Sequence, residues 1–163
     1  MNTSRAFGAG VLGGLVMTII TAIARAAGMP VNIEAMLGSM LGLAPAATGT
    51  WLLGLLMHLV LSGLIALLYA WGFERVTHRA GWQIGVAFSV VHIIIAGLFM
   101  AMLPAIHPMI PQMMAAPGAF MINMGAMGVL FLIVEHVIYG AIVGGVYAPE
   151  VRRVRTYEEA QTA

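Results

Sequence analysis

The chain has 163 residues, of which 61% are hydrophobic and only 8% carry a formal charge, and its mean hydropathy is +0.99. Soluble domains carry about 25% charged residues, so this composition excludes a soluble protein and predicts a single integral membrane domain over residues 1–163. The net charge of +1 argues against nucleic-acid binding, and the lack of cysteine excludes disulfides, thiolate metal sites and covalently attached c-type haem.

Four apolar runs are long enough to cross a bilayer, since a transmembrane helix needs about 20 such residues. The predicted spans are 7–28, 51–73, 82–103 and 119–147, followed by a polar cytoplasmic tail over residues 148–163. Residues 30–48 are apolar at helical spacing but too short to cross, so we expect a short interfacial helix there. The predicted fold is an all-α bundle of four transmembrane helices.

The arginines predict the orientation of this bundle. Six of the seven flank the N-terminus, the middle turn or the C-terminal tail: Arg5, Arg75, Arg79, Arg152, Arg153 and Arg155. Cytoplasmic segments carry an excess of positive charge, so we expect both termini in the cytoplasm. The expected location is a bacterial inner membrane, where the chain contacts the lipid bilayer and forms a homo-oligomer or joins a larger membrane complex.

The fourth span carries a Glu-His pair in its middle, Glu135 and His136, within the apolar stretch FLIVEHVIYGAIVGGVY. Ionisable residues inside a membrane are costly and mark functional sites by default. Small residues repeat around His136 at intervals of four, including Gly128, Gly140 and Gly144. That face admits a neighbouring helix or a flat cofactor close to the backbone. We expect Glu135 to be neutral or paired with a histidine or a cation.

Two further histidines lie inside predicted spans, His58 in the second and His92 in the third. His92 and His136 both lie about 15–17 Å of helix rise from the cytoplasmic ends of their spans, so they should be level. His58 should lie about one turn nearer the periplasm. Each histidine belongs to a stripe of small residues, so we expect all three to face the bundle interior and to converge.

These residues support several kinds of site. Three histidines beside a carboxylate suit a transition metal such as Cu, Fe or Zn, with His58, His92, Glu135 and His136 as ligands. Opposed imidazoles with glycine clearance suit a b-type haem held by His58, His92 or His136. The alternatives are histidines that only hydrogen-bond within the bundle, and a path along which Glu135 and the histidines relay protons or ions.

A weaker candidate lies in the proline-rich loop HPMIPQMMAAP on the predicted periplasmic side. Its soft ligands are His107, Met109, Met113 and Met114. Thioethers and imidazole can bind Cu(I), although the same residues would also serve as apolar loop packing.

Three motifs, VNIEAMLGSMLG, MHLVLSG and HVIYGAIVGGVY, are similar to an uncharacterised bacterial family of four-helix integral membrane proteins. The resemblance implies the topology and histidines at the positions of His58 and His136, but no activity. His92 and the HPMIPQMM segment do not match the family's pattern.

The leading hypothesis is therefore an inner-membrane bundle whose histidine and glutamate cluster binds a transition metal or b-type haem. The alternatives are a non-catalytic accessory or assembly subunit and a small proton-conducting or ion-conducting protein. Exposed small-residue stripes, or an exposed first helix, would favour the subunit. A cavity shared by all three histidines would favour the cofactor.

Overall fold

The computed structural model describes the backbone of residues 1–162 and the side chains of residues 1–151, and this part of the chain contains helices and turns but no strand. The five α-helices are α1 (Thr3–Ala26), α2 (Ile33–Ser39), α3 (Thr48–Gly72), α4 (Trp82–Ile106) and α5 (Gly125–Thr162). A π-helical turn, Phe73–Thr77, follows α3, and a 3-10 turn, Ala119–Met124, precedes α5. The predicted all-α class is confirmed.

Four segments are long and apolar enough to cross a membrane: Thr3–Ala26, Thr48–Thr77, Trp82–Ile106 and Ala119–Val151. They coincide with the four predicted spans and indicate a multi-pass membrane protein. Large apolar side chains such as Ile23, Leu68 and Ile95 point outwards with more than 60% of their surface exposed, as lipid-facing residues do. The predicted cytoplasmic side of the termini stays a prediction, and the side chains of residues 152–163 lie outside the described part.

Some element boundaries differ from the predicted ones. The chain begins α1 at Thr3, four residues earlier than expected, because the Asn2 side chain caps the helix by accepting a hydrogen bond from the Arg5 backbone N–H. The predicted fourth span is not one helix from Ala119. Phe120 and Met121 adopt left-handed φ values of 52° and 62°, and the regular helix starts only at Gly125.

Glycines set how closely the helices pack. A Cβ atom at Gly10 of α1 would overlap the Ser62 carbonyl oxygen of α3, and one at Gly85 of α4 would overlap the Gly140 carbonyl oxygen of α5. Both helix pairs therefore meet backbone to backbone, as membrane helices with small residues at four-residue spacing do. The helices that carry His92 and His136, α4 and α5, are therefore direct neighbours.

One end of the bundle, which we call the proximal end, gathers the N-terminus, the π-helical turn and the late part of α5. The Met1 amino group lies 3.1 Å from Glu74. Tyr147 donates a hydrogen bond of 2.6 Å to Glu74. Arg5 contacts Glu150 at 3.1 Å. The opposite, distal end carries α2 and the loop over residues 107–118.

The short helix α2 is present as predicted, but it is not merely laid along the surface. It packs closely against α3, because a Cβ atom at Gly38 would overlap the Thr50 carbonyl oxygen and one at Gly54 the Glu34 carbonyl oxygen. Glu34, Ala35, Gly38 and Ser39 are all buried. The distal end is therefore closed by a helix fixed against the bundle.

Candidate functional site

Polar side chains are buried inside the bundle, and several belong to membrane-spanning helices. The buried polar residues of the spans are Thr21, Thr50, His58, Ser62, Ser89, Glu135 and His136. Burying a polar group costs free energy unless it is hydrogen-bonded, so the partners of these groups indicate what the cluster does. His92 is half-buried beside them.

His92 and His136 are in direct contact. Their ring centroids lie 4.6 Å apart and the ring planes cross at 77°. The predicted equal depth and inward direction of these imidazoles are therefore present in the structure. They do not share a hydrogen-bond partner within the described residues, since His92 Nδ1 lies 3.3 Å from the Tyr69 hydroxyl and His136 Nδ1 lies 2.8 Å from the Leu132 carbonyl oxygen.

The hydrogen bond of His136 fixes its tautomer. A carbonyl oxygen only accepts, so Nδ1 of His136 must donate to Leu132, and in the neutral ring Nε2 then carries the lone pair. This nitrogen is free to accept a proton or to bind a metal ion. The i−4 carbonyl that holds the ring belongs to the same helix, so the orientation is set locally by α5.

His58 approaches the cluster from α3. Its Nδ1 lies 3.1 Å from the Thr18 hydroxyl of α1. The ring is buried on the face that also carries Gly54, Ser62 and Ala66, as the small-residue stripe predicts. All three histidines lie inside the bundle, and among the described residues His136 contacts the ring of His92 whereas His58 contacts Thr18.

Glu135 lies on the α1 side of α5. The Thr21 hydroxyl donates a buried hydrogen bond of 2.8 Å to Glu135 Oε1. Thr18 and Thr21 are three residues apart and share a helix face, so one strip of α1 serves both His58 and Glu135. Glu135 was expected to be neutral or paired with a histidine or a cation; among the described residues it forms no such pair, and its partner is a hydroxyl.

Two buried groups beyond the predicted site belong to the same interior. Tyr69 contacts both His92 and Tyr139, with ring centroids 5.9 and 5.7 Å apart. Glu34, which lies in the segment 30–48 expected to be interfacial and which the sequence suggests as a partner of Arg25, is 1% exposed and lies 3.8 Å from Arg25. An aromatic residue near the end of a span is expected to contact lipid or the interface, so no sequence pattern assigned Tyr69 to the interior. Glu34 stands out in the sequence as a charge inside an apolar run.

The candidate metal site in the loop after α4 packs against α2. His107 Nδ1 accepts a hydrogen bond from the Met109 backbone N–H at 3.0 Å, and His107 Nε2 lies 2.8 Å from the Met36 carbonyl oxygen. Both ring nitrogens are engaged, so a metal ion at His107 would have to displace one of these bonds. Met113 and Met114 line a distal cavity of about 390 Å³.

Four more methionines line that distal cavity, namely Met36, Met100, Met121 and Met124. None of His58, His92 and His136 lines it. The shared histidine cavity that would favour a cofactor is therefore not this one.

The arrangement of the histidines limits which cofactors they can hold in this conformation. Within the described part of the chain, no group of three or more His, Cys, Asp or Glu side chains is arranged to hold a metal ion. Bis-imidazole haem ligation places a porphyrin between two rings, and two axial bonds alone separate the nitrogens by about 4 Å. Rings in contact at a centroid separation of 4.6 Å leave no such space in this conformation.

Comparison with protein-family models, with curated proteins and with solved structures finds no match to this chain. The function must therefore be inferred from the side chains themselves.

Proposed function

We propose that this protein is a small proton-conducting membrane protein. The observation that carries the proposal is a series of ionisable and hydroxyl side chains from all four spans inside an otherwise apolar bundle, in which Thr21 contacts Glu135, Thr18 contacts His58, and His92 contacts both His136 and Tyr69. Chains of buried carboxylates and histidines are the usual means of moving protons through a membrane.

Each member can hold or pass a proton. The free Nε2 of His136 accepts one while Nδ1 stays bonded to Leu132, and the neighbouring ring of His92 is the next acceptor. His92 in turn contacts the Tyr69 hydroxyl, which can both donate and accept. Glu135 and His58 occupy the α1 side of the same interior, nearer the distal end.

An aromatic layer separates this series from the proximal surface. Phe73 contacts Tyr69, Phe88 and Tyr147 with ring centroids 6.0, 5.1 and 6.3 Å apart. Beyond the layer, Tyr147 bonds to Glu74 at the surface. The structure is thus a closed state under this proposal, and conduction requires the aromatic layer to open.

Proton flux into proteoliposomes tests the proposal. His92→Phe should lower the flux about tenfold or more, since the phenyl ring fills the space but carries no proton, and each 1.4 kcal/mol added to a barrier is a factor of ten. His78→Asn is the matched control, because His78 is exposed in the turn before α4 and its φ of 49° suits asparagine. Equal loss in both variants, or in neither, would contradict the proposal.

A second candidate is transition-metal binding by His92 and His136, favoured by the free Nε2 of His136. Metal-ligating histidines commonly donate their other ring N–H to a backbone carbonyl, as His136 does to Leu132. Cu, Fe or Zn fits two imidazoles, with Glu135 or His58 completing the site only after a movement. This proposal needs more rearrangement than proton conduction does.

Metal analysis of protein purified in mild detergent separates the two candidates. If one ion binds at this pair, it should be present in stoichiometric amount, and His92→Ala and His136→Ala should each abolish it. The double substitution should then cost little more, since ligands of one site act as a unit. Metal content below stoichiometry in the wild type, or unchanged in the variants, would exclude the metal site.

We further propose a bacterial inner-membrane location with both termini cytoplasmic, supported by the arginine distribution and by the resemblance to the four-helix family. An accessory-subunit role has less support. The small-residue stripe of α1 is used inside the bundle, where Gly10, Gly13 and Gly14 face α3 or α5. In the most apolar stretch of α1, 39% of the residues are buried inside the bundle, which is at least as large a share as in any other span.

A further inference from the structure

Glu34 is a buried carboxylate without a hydrogen-bond partner. Its side chain is 1% exposed, and neither Oε1 nor Oε2 accepts a hydrogen bond from any residue that the structure describes. Arg25 Nη1, 3.8 Å from Oε2, also makes no hydrogen bond. Buried polar groups are almost always hydrogen-bonded, and a carboxylate left open points to a role that needs a free acceptor.

The fold holds Glu34 in this position but leaves its partner free to move. The backbone of α2 lies directly on α3 at Gly54 and Gly38, where a Cβ atom would overlap a carbonyl oxygen of the other helix. Glu34 therefore cannot turn outwards with its helix. The Arg25 side chain is 37% exposed at the end of α1, although its Nη1 atom is buried beside Glu34, so opening the pair requires Nη1 to move out to the surface that the rest of the side chain already reaches.

Glu34 lies beside the turns of α1 and α3 that lead to the buried series. Its carbonyl oxygen lies against Gly54, one helical turn before His58 on the same face of α3. Its carboxylate pairs with Arg25, one turn beyond Thr21 on α1. His107, after α4, bonds to the backbone of α2. Glu34 thus lies at the distal end, next to the helix turns that carry members of the series.

We propose that Glu34 is the proton-accepting residue at the distal entrance of this series and that Arg25 is its releasable counter-ion. The assignment rests on the proposed proton conduction. A hydronium ion at the distal surface gives its proton to the Glu34 carboxylate: one O–H bond of hydronium breaks, one O–H bond forms on Glu34, a water molecule is left, and the carboxyl group becomes neutral. Arg25 then loses its electrostatic partner and turns towards solvent. Transfer of the proton to Glu135 restores the Glu34 charge and draws Arg25 back.

Infrared titration of the lipid-reconstituted protein tests the site apart from conduction, because the C=O stretch of a protonated carboxyl group is distinct from carboxylate bands. A band that disappears as pH rises should be missing in Glu34→Gln. In Arg25→Gln this band should persist to higher pH, because the charged form of Glu34 is no longer stabilised by the positive charge of Arg25. Glu135→Gln is the matched control and should retain the Glu34 band.

Proton flux supplies the second readout. Glu34→Gln should lower flux about tenfold or more if the entrance is correct. Normal flux in Glu34→Gln, or a Glu34 band that ignores Arg25→Gln, would overturn the assignment while leaving conduction intact. A Glu34 band that responds to Arg25→Gln in a protein without flux would instead support the site and contradict conduction. Should Glu34→Gln fail to fold, Glu34→Asp replaces it in assigning the band, and a carboxyl band unchanged in position in that variant would overturn the assignment.

Discussion

Gly85→Leu is expected to destabilise the bundle by about 3 kcal/mol or more, the upper range for overpacking a close contact. The added Cβ would overlap the Gly140 carbonyl oxygen, and that obstacle is backbone, so no side-chain rotation can relieve it. Since α4 and α5 carry His92 and His136, separating these helices should also end the contact between the two imidazoles. Thermal unfolding in detergent measures the first effect and proton flux the second.

Gly145→Leu is the matched control for this substitution. Gly145 lies one residue from Gly144 in α5, but a Cβ atom there meets nothing within 4 Å. We expect its stability to stay within about 0.5 kcal/mol of the wild type, as for most exposed positions. A Gly85→Leu protein as stable as Gly145→Leu would show that the close α4 and α5 crossing is not required.

Glu135→Gln is expected to keep the fold and to reduce proton flux about tenfold or more. The amide keeps an oxygen that can accept the hydrogen bond from Thr21, so the packing is preserved, but it takes up no proton near neutral pH. Circular dichroism and size-exclusion chromatography check the fold, and flux into proteoliposomes checks the function.

Glu150→Gln controls for a change of carboxylate to amide elsewhere in the chain. Glu150 pairs with Arg5 at the proximal end, where a partly exposed pair contributes about 0–1 kcal/mol. We expect wild-type flux. If Glu135→Gln unfolds, the carboxylate is architectural, and its assignment to the proton path is wrong.

The sequence contained enough to place the spans and the facing histidines. Small residues that repeat at intervals of four around His136 and His58 predicted which helix faces are buried. The helix rise counted from the ends of the spans predicted that His92 and His136 lie at the same depth. These successes share a cause. In a bilayer every backbone group forms its hydrogen bond within its own helix, so the spans are regular helices. The position of a residue in the helical repeat therefore determines whether its side chain faces inward.

The individual partners could not be predicted in the same way. Glu135 bonds to Thr21 and His58 approaches Thr18 because α1 packs between α3 and α5, and the order of helices around a bundle leaves no mark on the sequence. Glu34 looked interfacial because α2 is too short to cross, yet glycine contacts with α3 bury it. The direct contact of the imidazoles, which leaves no room for haem, likewise depends on helix crossing.

The most direct test of proton conduction uses proteoliposomes with an imposed pH gradient, in which potassium and valinomycin set the membrane potential. The measured quantity is the potential at which no net proton movement occurs. A proton-selective path predicts a zero-flux potential that shifts by about 59 mV per pH unit, as for one charge per tenfold concentration ratio. Proton movement no faster than in protein-free vesicles, or a zero-flux potential indifferent to the pH gradient, would contradict it.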